Sequence, residues 1–150
     1  MSELIKTLAL LATTVGGLGV LFAGWQLWQT KRQAVTSFED QVAKEYRELI
    51  REIPVSALLG KEVSEEKYNE VREYIYNYID LSNEQVFLRQ VGRVTKSTWE
   101  YWQDGIKSNL SRPIFNRVWV EVKESVQESF QELRSLEQHN FDCDPKHDMD

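Results

Sequence analysis

Cysteine is almost missing from this chain: Cys143 stands alone, so no internal disulfide can form and nothing calls for an oxidising compartment. Proline is scarce at three residues, and five of the seven glycines fall before residue 61. Beyond that point few residues interrupt a helix, and the chain reads as long helices with short joints. Positive charge is the minority sign. Eighteen Lys and Arg against 24 Asp and Glu leave a net charge of −6, which argues against nucleic-acid binding through a broad cationic surface. No phosphate-cradling glycine loop, H-E-x-x-H helix or nucleophile elbow occurs. Cys143 and His147 have a C-x3-H spacing, but two ligands do not make a zinc site. The expectation is therefore no cofactor, no metal and no enzymatic constellation.

Charge is absent altogether from one stretch. Between Lys6 and Lys31 no side chain is ionisable, and the run Thr7 to Thr30 is 24 residues long. Roughly 20 helical residues cross a hydrocarbon core of about 30 Å, so residues 1–30 are read as a transmembrane anchor. Trp25 and Trp28 close the run just before Lys31 and Arg32. Indole prefers the headgroup level and cations stay in water, so these four residues form the expected membrane interface. A cleaved signal peptide fits poorly. Glu3 sits where a basic n-region belongs, and no A-x-A site precedes Trp25.

Orientation follows from the flanks. Lys6 and the α-amino group lie on one side; Lys31, Arg32, Lys44, Arg47 and Arg51 lie on the other. The positive-inside rule then puts the C-terminal part in the cytoplasm. Within the anchor, Ala9, Ala12, Gly16, Gly19, Ala23 and Gln26 are spaced by three and four residues and share one helical stripe. Small residues on one face let helix backbones approach in lipid, so this stripe is the expected homo-oligomer interface. Leu8, Leu11, Val15, Leu18 and Phe22 lie opposite, facing acyl chains.

From residue 31 to 139 the periodicity is helical. Phe38, Val42, Tyr46, Leu49 and Ile53 form a seam that continues the anchor helix until Pro54. Ser64 is read as the N-cap of a second helix running to about Gln90 and ended by Gly92 in a left-handed conformation. Ser97 to Glu100 has the order of a capping box for a third helix. Pro113 opens a fourth, with a seam Phe115, Val118, Val122, Val126, Phe130 and Leu133. The fold class is thus all-α: a transmembrane helix continuing into an antiparallel bundle of about four helices. Tyr74, Tyr78, Trp99, Trp102, Phe115 and Trp119 invite a ligand box, but aromatics at helical spacing are read as core. Residues 140–150, with Asp142, Asp144, Asp148 and Asp150, are read as a disordered acidic tail.

The block Tyr78-Ile-Asp-Leu-Ser-Asn-Glu-Gln85, then Phe87-Leu-Arg89, Gly92-Arg-Val94, Trp99, Trp102, Gly105-Ile106, Pro113-Ile-Phe115 and Trp119 resembles a group of small bacterial single-pass membrane proteins. The likeness covers roughly residues 75–120 and the overall layout. It implies a bacterial inner-membrane protein with a helical cytoplasmic region, and it supplies no activity. Asn83, Glu84, Gln85 and Arg89 are its polar members, read as capping and bundle-internal hydrogen-bonding groups.

Arg134 and His139 form an R-x4-H pair that resembles the motif of HEPN ribonucleases, which join two such motifs across a dimer. The resemblance implies an arginine stabilising phosphate charge and a histidine exchanging protons. Ser135, after the arginine, departs from the residue usual in active members. The layout is also similar to accessory membrane proteins of RNA-targeting CRISPR systems, which implies a pore or defence effector as an alternative. An R-x4-H pair in an arginine-rich helix arises readily by chance, so the leading expectation is a non-enzymatic, self-associating membrane protein with a protein-binding cytoplasmic domain. The partner is not readable from the residues.

Overall fold

The computed structural model describes the chain path of residues 2–149 and the side chains of residues 22–149. The chain divides into two units, Met1–Ser37 and Phe38–Asp150. Among the described residues every regular element is helical: α1 (Ser2–Arg51), α2 (Val55–Leu58), α3 (Glu65–Gln90), α4 (Lys96–Leu110), α5 (Pro113–Ser125), α6 (Gln131–Gln138) and α7 (Pro145–Asp148). Within residues 22–149, no helical stretch is long and apolar enough to cross a membrane. Most of the expected anchor, through Leu21, lies outside that range, and with it Ala9, Ala12, Gly16 and Gly19 of the stripe.

In the second unit α3 is the hub, touching α4, α5, α6 and α7. Its length and position follow from its ends. The Ser64 hydroxyl accepts the Lys67 N–H at 3.3 Å, and Gly92 takes φ +74° after the last turn, a conformation that only glycine adopts without cost. Along α3, Tyr68, Val71, Ile75, Tyr78, Ile79, Val86 and Leu88 are buried. They meet Trp99 and Ile106 of α4, Phe115, Val118 and Trp119 of α5, and Leu133 and Leu136 of α6 in one core. The rings are keyed edge to face: Tyr78 stands 5.3 Å from Phe115 and Phe130 stands 6.3 Å from Trp119. Such pairs add modestly to the burial itself.

Four expectations are corrected. The fourth helix does not run to Leu133; α5 stops at Ser125, and α6 is a separate helix. Phe130 sits between them with φ +60°, a strained value for a bulky residue, held by its buried ring against Trp119 and Tyr76. The chain therefore turns instead of carrying the seam outward, and Val126 is left exposed. The start of α4 is capped by Thr95, whose hydroxyl accepts the Thr98 N–H, and not by Ser97. Tyr74, read as core, is exposed: it lies to one side of the buried row Val71, Ile75 and Tyr78 on α3.

The last correction concerns the tail. Residues 140–149 are packed on α3 and α4, with Pro145 and Met149 buried. The Asp144 side chain accepts the Lys146 N–H, and Pro145 occupies the first position of α7. Asp before Pro is a helix-start signal, and here it outweighs the acidic composition.

Candidate functional site

The residues expected at a membrane interface lie on α1. Trp25 and Trp28 are 54% and 53% exposed, and the Arg32 guanidinium lies 4.9 Å from the Trp28 ring centroid. Phe22 and Leu27 are exposed beside them. Of the small-residue stripe, Ala23 and Gln26 fall among the described side chains, and both are exposed. Large aromatic faces left bare in this way are expensive in water.

Arg134 and His139 lie on and just after α6, and the structure gives both a local role. Arg134 donates through Nε to the Ser129 carbonyl at 2.9 Å and through Nη2 to the carbonyls of Lys123 at 3.2 Å and Val126 at 2.9 Å. The Lys123 and Val126 carbonyls lie where α5 ends and that of Ser129 in the connector after it, so the guanidinium caps that end. His139 Nδ1 stands 2.8 Å from the Ser135 carbonyl. A carbonyl only accepts, so Nδ1 carries the proton. Between the two residues, Glu137 accepts from Trp119 Nε1 at 2.9 Å and from Lys123 Nζ at 2.8 Å, which pins α6 to α5. Arg134→Ala should accordingly destabilise the fold by about 2 kcal/mol through lost charge-assisted bonds. His139→Ala should stay within about 0.5 kcal/mol of wild type. Denaturant titration of both variants checks this, and equal losses would contradict the capping role.

The polar members of the 78–94 block divide. Asn83 caps a neighbouring helix: its Oδ1 accepts the Leu133 N–H at 3.0 Å and its Nδ2 donates to Glu132. Arg89 is buried and grips Asp144. Glu84 is exposed. Gln85 is buried and faces a cleft bounded by Tyr46, Tyr78 and Trp102. Tyr78 and Trp102 are thus at once core and cleft wall. At Tyr78, burial pushes the phenol up to about 12, so the hydroxyl stays neutral while it accepts from Asn109 Nδ2 at 2.9 Å. Sequence reasoning could not place the cleft, because a side chain that lines a cavity and one that is packed solid share the same periodicity.

Comparison with protein-family models, with curated proteins and with solved structures finds no match for this chain.

Proposed function

We propose that this chain is a non-enzymatic, self-associating bacterial inner-membrane protein, anchored by residues 1–30, whose cytoplasmic helical domain docks a protein partner. The reading is carried by one observation. An uncharged run of 24 residues, Thr7 to Thr30, ends in Trp25, Trp28, Lys31 and Arg32, and both indoles are more than half exposed. Water would penalise that surface, whereas the headgroup region of a bilayer accepts indole and guanidinium side by side. The stacking of Arg32 over Trp28 suits the same place, where a cation is held at the boundary over an aromatic face. Self-association rests on the stripe of Ala9, Ala12, Gly16, Gly19, Ala23 and Gln26, since small residues favour close helix packing in lipid.

The full chain, extracted in mild detergent, should run as one oligomer of defined mass. Gly16→Leu with Gly19→Leu should convert it to monomer, because two leucines on the stripe hold the backbones apart. Native mass determination reads this directly, and a monomeric wild type would remove self-association from the proposal.

A further inference from the structure

The cleft between α1, α3 and α4 has a volume of about 430 Å³, inside the range of sites for small organic molecules. Three independent features mark it. The first is Gln85, only 4% exposed. The other buried polar side chains are all bonded: Ser82 to the Tyr78 carbonyl, Arg89 to Asp144, Asn109 to Tyr78. The Gln85 amide has no hydrogen-bond partner among the described residues, and it lines the cleft. Among the described residues no fully buried side-chain polar atom lacks a partner, so the Gln85 amide opens into the cleft, where its donor and acceptor are free to meet water or a ligand.

The second feature is Trp102, 7% exposed. The indole N–H of Trp99 donates to the Cys143 carbonyl and that of Trp119 to Glu137. The indole N–H of Trp102 has no such partner among the described residues, and Trp102 also lines the cleft. The third is Gly105, in the middle of α4. A Cβ there would meet nothing within 4 Å, and its backbone is not left-handed. Neither packing nor conformation demands glycine, although glycine weakens a helix interior. What the missing side chain leaves open is the cleft wall itself.

We propose that this cleft binds a small planar heteroaromatic molecule of nucleoside size, carrying a hydrogen-bond donor and an acceptor on one edge. The aromatic rings of Tyr46, Tyr78 and Trp102 suit a flat ring, with the exposed Tyr101 ring at the mouth. The Gln85 amide supplies a donor and an acceptor together, which is the pattern of a ring edge holding a carbonyl or ring nitrogen beside an N–H. Trp102 adds a second donor. Arg47 and Asp104, both exposed and of opposite sign, flank the opening, so the site carries no net charge to favour a polyanion. Ala43, Tyr46 and Arg47 belong to α1 and the remaining walls to α3 and α4, so a bound molecule bridges these helices.

The test uses the full chain, ¹⁵N-labelled in detergent, titrated with adenosine, guanosine, cytidine and uridine at millimolar concentration. At least one nucleoside should move the Trp102 indole N–H resonance saturably, while those of Trp99 and Trp119 hold still. Gln85→Leu, close in size but unable to hydrogen-bond, should weaken that nucleoside at least about tenfold. Gly105→Phe should abolish binding by filling the space, with Gln85→Leu deciding if the phenylalanine variant does not fold. If no nucleoside shifts Trp102, or if Gln85→Leu binds with unchanged affinity, the proposal is overturned.

Discussion

Replacing Arg89 with alanine should cost the folded domain about 3–5 kcal/mol, the usual effect of stripping one partner from a buried ion pair. The guanidinium grips Asp144 in bidentate fashion, Nε to Oδ1 at 2.7 Å and Nη2 to Oδ2 at 2.5 Å. Its remaining Nη1 donates to the Val94 carbonyl at 2.8 Å. With the arginine gone, the Val94 carbonyl loses this donor and the Asp144 carboxylate, 17% exposed, keeps only the Lys146 N–H. The carboxylate regains full hydration if the segment 140–149 lifts off α3. Trp99 would then lose its bond to the Cys143 carbonyl, and Gln103 its bond to that of Phe141. Limited proteolysis should consequently clip the C-terminus of the variant first, and Arg89→Lys should not restore resistance, because an ammonium cannot reproduce the fork.

The same pair sets a pH dependence. The Arg89 hydrogen bonds hold the Asp144 carboxyl below the ordinary carboxylate range. A carboxylate with a lowered pKa stabilises the fold above its ordinary value of about 4 and loses that contribution as the pH falls further. The stability difference between wild type and Asp144→Asn should therefore be full near neutrality and should shrink on acidification below about pH 4. A difference that is constant with pH would mean that the pair contributes nothing through ionisation.

Trp119→Ala should be comparably severe, at about 3–5 kcal/mol. The side chain is buried at the meeting of α5 and α6, with Phe130 edge-on and the Lys123 ammonium 5.3 Å from the ring centroid. Its indole N–H also anchors Glu137. Truncation leaves a cavity and leaves Glu137 of α6 with Lys123 as its remaining donor, so two losses add. A domain of this size holds only about 5–15 kcal/mol in total, and the variant should unfold at a visibly lower denaturant midpoint. Trp25→Ala and Trp28→Ala are the contrast. Both rings are exposed, so the domain should keep its stability to within about 0.5 kcal/mol, and any defect should appear in membrane association instead.

Much of the fold was legible in local chemistry. Ser64, Gly92 and Pro113 mark helix ends through the hydroxyl, the positive φ and the missing N–H, each of which acts within a few residues. The break after Ser125 was not legible. The apolar spacing from Phe115 to Leu133 continues straight through it, and only the buried Phe130 ring, a tertiary contact, makes a left-handed backbone tolerable there. Asn83 is similar, since its partner Leu133 lies 50 residues away. The tail misled for another reason: acidic composition argued for disorder, while Asp144-Pro145 carried the helix start and Arg89 supplied the counter-charge. At Arg134 and His139 a short motif suggested chemistry, and the structure uses the guanidinium to close a helix.

The proposed anchor, residues 1–30, is the premise on which the proposed address and assembly both depend. Membranes from bacteria expressing the full chain should be washed with alkaline carbonate and sedimented. The expected result is intact polypeptide, N-terminus included, retained in the pellet through the wash. Release of the full-length chain into the supernatant, or recovery of a chain trimmed within residues 1–30, would contradict it.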